Sequence, residues 1–281
     1  MSYQPHETID LIEALVVQED RFYRCRDYLE ADRAQHLVDE CAMLVSDSVS
    51  KSPSAVSVSD VRSLDQGRGD RPAEDSFAFW RQQMFDWACM VVDSFQIDRE
   101  IVAVAFALLD RYVSIESMKG PRISRDDFQL FSMTCLYMAV KILEPYPRKI
   151  GLDSLVDMSR GFYSEDDIAV TEQEILKTLQ WHLHPPTAIA HCRLLWSLLA
   201  EEAPFTLQIT CTTLTEIAIT DASFVSHQSY WIGLASFILA CRLEGNIPED
   251  QLRRIVQSLS LDTSSPEFRS VYTQLEKLYC Q

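Results

Sequence analysis

Four ionisable residues stand where a helical reading places apolar neighbours. Projected at the helical period, Arg81 shares a face with Met84, Phe85, Ala88 and Val92. Asp110 lies one turn past Phe106 in the nearly all-apolar run IVAVAFALLD. Lys141 continues the line of Leu130, Thr134 and Met138, and Glu172 falls between Ile168, Ile175 and Leu179. An unpaired buried charge costs several kcal/mol and is usually avoided, so two cations and two anions in such places predict two ion pairs. Each residue taken singly has a plainer reading. Lys141 near a helix end can extend its amine to water, where the helix dipole favours a cation, and Asp110 can be partly exposed as its helix ends.

Other reactive groupings are sparse. His182, His184 and Cys192 include metal-ligand types, but an HxH without convergent acids or thiols falls far below the specificity of a zinc site. The sequence contains no GxSxG, HExxH or GxxxxGK[ST]. It therefore offers no nucleophile elbow, zincin helix or phosphate loop, and a non-enzyme without cofactor or metal is expected.

The elements that position the four charges follow from hydrophobic period. After Ser76 the chain carries long helical patterns with hardly any alternation, which predicts an all-α fold. Five helices are read at 77–95, 98–114, 124–143, 151–158 and 164–181, and five more at 187–201, 205–221, 228–243, 248–259 and 266–279. Ser124 with Asp127, and Ser164 with Asp167, have capping-box spacing, while Pro248 and Pro266 suit first turns. Only seven glycines occur among 281 residues, which disfavours turn-rich β folds. The Pro185-Pro186 break divides five helices from five and suggests a duplication. CLYMAVKI at 135–142 reads against SFILACRL at 236–243, with Lys141 falling on Arg242. The predicted organisation is a helical leader (1–45), a flexible Ser-rich linker (46–75), a first helical domain (76–184) and a second (185–281).

Residues 46–63 hold eight serines in eighteen positions, a linker composition. Residues 1–75 carry 16 acidic and 8 basic side chains, which a solvated leader explains. The whole chain has a formal charge of −17, repelling nucleic-acid phosphates and anionic bilayers. Eight cysteines without a CxxC pair predict a reducing, intracellular compartment. The N-terminus lacks a signal-peptide core, and the apolar stretch near Trp231 to Cys241 is too short to span a bilayer.

The helices also carry a resemblance. WRQQMFDW at Trp80–Trp87 resembles the start of a cyclin box, AVAFALLDRYVS at Ala103–Ser114 its second helix, and CLYMAVKILEP at Cys135–Pro145 its third. TEQEILKTLQWHLHPPTA at Thr171–Ala188 resembles its fifth helix and exit. The signature Arg, Asp, Leu, Lys and Glu are matched by Arg81, Asp110, Leu130, Lys141 and Glu172. The chain is similar to the divergent cell-cycle cyclins expanded in unicellular algae.

The resemblance implies two tandem five-helix cyclin boxes and a regulatory subunit of a cyclin-dependent Ser/Thr kinase, located in the nucleus, the cytoplasm or both. Lys141 and Glu172 then pair and meet the kinase beside its αC helix, with Ile142, Trp181 and Leu183 as an adjacent apolar patch. Arg81 and Asp110 inherit a structural pair, and Leu130 a place in the box core. A substrate-docking groove corresponds to Gln83, Met84, Trp87 and Gln129, but Gln82 and Gln83 replace aliphatic residues and Met90 an acid. Arg26 and Leu29 have the core spacing of a destruction box, which Ala34 does not complete. Ser52-Pro53 and Ser265-Pro266 have the form of proline-directed phosphorylation sites. Ser52 is the accessible candidate, and Ser265 is expected to cap the last helix. The alternatives within this fold are a scaffold or a transcription-associated cyclin-type protein; the DNA-gripping kind conflicts with the acidic charge.

Overall fold

The computed structural model describes residues 4–30, 76–120, 122–144, 150–199, 202–245 and 247–280. The expected Ser-rich linker (46–75), including Ser52, lies outside the described residues. Among the described residues there are helices and no strands. In chain order they are α1 (Pro5–Phe22), α2 (Phe77–Ser94), α3 (Glu100–Glu116), α4 (Arg125–Leu143), α5 (Leu152–Met158), α6 (Glu165–Thr178), α7 (Ala188–Trp196), α8 (Phe205–Thr220), α9 (Ser229–Glu244), α10 (Glu249–Ser258) and α11 (Pro266–Tyr279).

The helix starts are written in the sequence. Ser124 and Ser164 both close capping boxes with the acid three residues on, and Ser265 Oγ accepts from the Phe268 amide. Pro266 occupies the first turn of α11, whereas Pro248 is itself the N-cap of α10. The helix ends explain how the chain manages with few glycines. Helices α2, α5 and α6 each end in a Schellman closure, with Gln96, Arg160 and Gln180 in the left-handed position usually taken by glycine. Glycine fills that position after α9, where Gly245 has φ 65°.

Two hydrophobic cores result. The first is built by α2 to α6 around Leu108, Leu109, Phe128, Leu136, Leu155 and Ile168. The second is built by α7 to α11 around Leu207, Leu214, Phe237, Val271 and Leu275. Helix α9 is buried from Tyr230 through Cys241, as an all-apolar helix must be. The aligned stretches 135–142 and 236–243 lie on α4 and α9, the third helix of each set. The second half also reaches into the first core, where Val225 is buried and Ile219 and Ala222 pack.

The N-terminal segment departs from the solvated leader expected of it. Ile12 is buried in the second core, and Tyr28 and Leu29 in the first. Glu19 on α1 is buried as well, its carboxylate accepting from the Ser229 and Tyr230 amides that open α9. The caps of α9 that sequence inspection seeks at Gln228 are thus supplied from more than two hundred residues away, which local spacing cannot reveal. Burial of Leu29 also encloses half of the Arg26/Leu29 spacing inside the fold.

Candidate functional site

The four misplaced charges form two pairs of different character. Arg81 in α2 and Asp110 in α3 are 3% and 7% exposed. Arg81 Nε donates to Asp110 Oδ1 at 2.9 Å and Nη2 to Oδ2 at 2.8 Å, a bidentate fork. Tyr28 Oη donates to Asp110 Oδ1 at 2.8 Å. Arg81 Nη1 donates to the Ile219 carbonyl at the end of α8, and its guanidinium carbon lies 5.1 Å from the Phe106 ring centroid. One buried network therefore ties the N-terminal segment, helices α2 and α3 of the first core and the second half together.

Lys141 and Glu172 pair at the surface instead. Lys141 Nζ, in the last turn of α4, donates to Glu172 Oε1 on α6, and it also sits 4.5 Å from the Tyr137 ring centroid. Their side chains remain 35% and 19% exposed, so the pair is fixed in geometry at a partly solvated position. Ile142, next to Lys141, is half-buried on the edge of the first core, as is Leu183.

Trp181 follows the end of α6 and is 69% exposed. Its backbone takes φ 62° directly after Gln180 at 51°, two consecutive left-handed residues without glycine. Such conformations cost of order 1–3 kcal/mol each and persist where the surroundings impose them. Here the Trp181 and Gln180 amides close onto the Leu176 and Lys177 carbonyls, and the His182 amide onto Leu179. The His182 ring stacks on Phe22 at 4.5 Å, and its carbonyl accepts from Arg111. A large indole is thereby held outward on a braced turn.

The remaining predicted residues are placed as follows. Leu130 is half-buried at the rim of the first core, while Phe128, two positions earlier, is fully enclosed. Gln83, Met84, Trp87 and Gln129 line one cavity of about 210 Å³ between α2 and α4, together with Trp80, Phe128 and Met133. His182 is engaged in the stack on Phe22, His184 is exposed, and Cys192 is buried in the second core with Sγ on the Gly233 carbonyl. No group of three or more metal-ligating side chains converges among the described residues. None of their helices is long and apolar enough to cross a membrane.

Several polar residues that join the two halves escaped the sequence reading. Arg99 bridges Asp93 at 2.7 Å and Glu216 at 3.1 Å. Arg193 pairs with Glu100, which also accepts from Thr187 Oγ1. Apart from Arg99–Asp93, six residues apart, these contacts span long sequence separations, so no periodicity announces them.

Comparison with known proteins bears on the same region. Residues 69–184 match the model of the cyclin N-terminal domain. The chain is 33% identical over 107 residues to the G1/S-specific cyclin-E of Drosophila melanogaster, covering 38% of this chain and 14% of that protein. It is 31% identical over 104 residues to Cyclin-B1-1 of Arabidopsis thaliana, covering 37% and 23%. The matched stretch thus spans less than a quarter of either relative. Among solved structures, the X-ray structure of a viral cyclin from herpesvirus saimiri superposes with a TM-score of 0.56 over 73% of this chain and 87% of that one, at 18% identity. That likeness covers more of the chain than residues 69–184. Residues 69–184 are thus similar to the cyclin N-terminal domain, and the helical frame around them has the cyclin fold.

Proposed function

We propose that this protein is an intracellular regulatory subunit that binds and activates a cyclin-dependent Ser/Thr kinase, and so controls cell-cycle progression. The observation that carries the reading is the Lys141–Glu172 pair, oriented by Tyr137 and left partly open to solvent. A pair needed only for stability gains little at such exposure; a pair that donates to and accepts from a partner's backbone benefits from being pre-set. Ile142, Leu183 and the outward Trp181 supply apolar anchors near it in sequence, the residue types that dominate interfaces.

The activity follows from rigidity rather than chemistry. Kinase catalysis requires an αC glutamate paired with the β3 lysine and an ordered activation loop. A helical body that binds αC in its active position shifts the kinase population toward that state by the difference in affinity between the two states. In this reading residues 76–184 make the kinase contact and 185–281 form a second cyclin-like domain that buttresses it. The cavity at Gln83, Met84, Trp87 and Gln129 is a polar version of a substrate-docking groove, which favours weak recruitment. Ser52 in the Ser-rich stretch is a candidate target of the bound kinase.

Biolayer interferometry of the purified chain against a panel of cyclin-dependent kinases tests the proposal. Saturable binding to at least one kinase is expected, weakened in Trp181→Ala. A folded chain that binds none of them would move the function to scaffolding.

A further inference from the structure

A cavity of about 200 Å³ opens where α3, the Pro185-Pro186 connection and the approach to α9 meet. Its wall includes Arg111, a residue only 6% exposed. The guanidinium donates once, from Nη1 to the His182 carbonyl at 2.9 Å, and lies 4.8 Å from the Tyr23 ring centroid. It has no carboxylate partner among the described residues. The two acids that line the cavity are engaged elsewhere: Asp110 with Arg81 and Tyr28, Glu19 with the amides opening α9.

A buried cation without a counter-ion is costly, and arginine cannot escape by losing its proton. Burial lowers the Arg111 pKa, against weaker opposing effects of Tyr23 and Cys25, yet the guanidinium stays charged. Most of its N–H donors have no protein acceptor. On the same wall Gln228 Oε1 is buried without a donor. Water alone can satisfy Gln228 but does not neutralise Arg111. The volume exceeds the roughly 30 Å³ share of one water, and Arg24, 64% exposed at its side chain, lines the cavity from the solvent side.

We propose that this cavity binds a small oxyanion ligand, a phosphate or carboxylate group seated on the Arg111 guanidinium. A fork of donors facing two oxygens is the geometry arginine uses for both groups. A hydrogen phosphate donates its O–H to Gln228 Oε1, whereas beside a carboxylate a retained water does so, and Ala107, Ile189 and Ala218 accommodate any carbon portion. Because the cavity touches α1, the first core and the second half, occupancy stabilises their junction by mass action.

The test uses the full chain. Thermal unfolding and isothermal titration calorimetry are run with inorganic phosphate, phenyl phosphate and malonate, against chloride at matched ionic strength. Saturable binding and a rise in melting temperature with at least one oxyanion are expected, with no matching response to chloride. Arg111→Gln is expected to lose about tenfold or more in affinity, as for a charged hydrogen bond, while Arg111→Lys keeps part of it. Without ligand, Arg111→Met is expected to melt no lower than wild type, because it removes an uncompensated charge. A preference for phosphate or phenyl phosphate over malonate identifies a phosphate ligand, and the reverse a carboxylate. Absence of saturable binding by wild type, an equal response to chloride, or unchanged affinity in Arg111→Gln would overturn the proposal.

Discussion

Replacing Asp110 by alanine tests how the buried network holds the molecule together. The substitution removes the acceptor of three hydrogen bonds, two from Arg81 and one from Tyr28. Arg81, 3% exposed, keeps only the Ile219 carbonyl and the face of Phe106. Stripping one partner from a buried pair costs about 3–5 kcal/mol, most of it the stranded charge. Tyr28→Phe deletes a single bond to a charged acceptor and is expected to cost about 1.5–3 kcal/mol. Removing both charges together, Arg81→Met with Asp110→Leu, is expected to restore stability to near wild type, since no ion then needs compensation. Urea denaturation followed by tryptophan fluorescence reads wild type, these variants and the Arg81→Met and Asp110→Leu singles, because Trp80 and Trp231 are buried in the first and second cores. A coupling energy of at least about 2 kcal/mol between Arg81 and Asp110 is predicted. A double variant that costs the sum of its two singles would refute the reasoning, as would an Asp110→Ala protein within about 0.5 kcal/mol of wild type.

Three further outcomes are expected. Burial raises the Glu19 pKa to about 7, against the amides of Ser229 and Tyr230, and lowers that of His191 to about 4. Glu19 therefore contributes stability that is full below its unfolded value of 4.5 and lost as pH rises toward 7. His191 contributes stability present above its unfolded value of 6.5 and lost as pH falls toward 4. The two slopes oppose, so Glu19→Gln is expected to unmask a loss on acidification below 6.5, approaching one proton's slope of about 1.4 kcal/mol per pH unit; an unchanged difference from wild type between pH 4 and 7 would contradict it. Gly233→Ala places a Cβ 2.7 Å from the Ala188 carbonyl oxygen and the His191 Cβ, forcing α7 and α9 apart at about 1–3 kcal/mol in chemical denaturation. Gln96→Gly relieves a left-handed residue at φ 54° and is expected to gain about 0.5–1 kcal/mol in the same assay.

What could be read from sequence was whatever depends on neighbours within a few turns. Helix phase placed the two sets of five helices, and the serine-to-acid spacing at Ser124 and Ser164 gave their starts. The same phase exposes Arg81, Asp110, Lys141 and Glu172 as charges on apolar faces, which predicts partners for them. The docking of α1 could not be read that way. Glu19 looks like one more acid on a polar face, and its burial depends on the amides of α9 far along the chain. The seam through Arg99, Glu216, Arg193 and Glu100 consists of ordinary surface residues until the two halves meet. Arg111 was hidden by its setting, since a charge beside Asp110 near a helix end reads as solvated.

On the proposed reading, Lys141 and Glu172 are set for a kinase rather than for stability. That reading is tested most directly by measuring phosphotransfer by a cyclin-dependent kinase titrated with wild type and with the Lys141→Ala/Glu172→Ala double variant. Urea denaturation of the same two proteins accompanies the titration. Activation by wild type is expected, with the variant weakened by about 2–5 kcal/mol in binding and its folding stability changed by no more than about 1 kcal/mol. A variant that activates as well as wild type, or one whose loss of activation is matched by loss of fold, would contradict it.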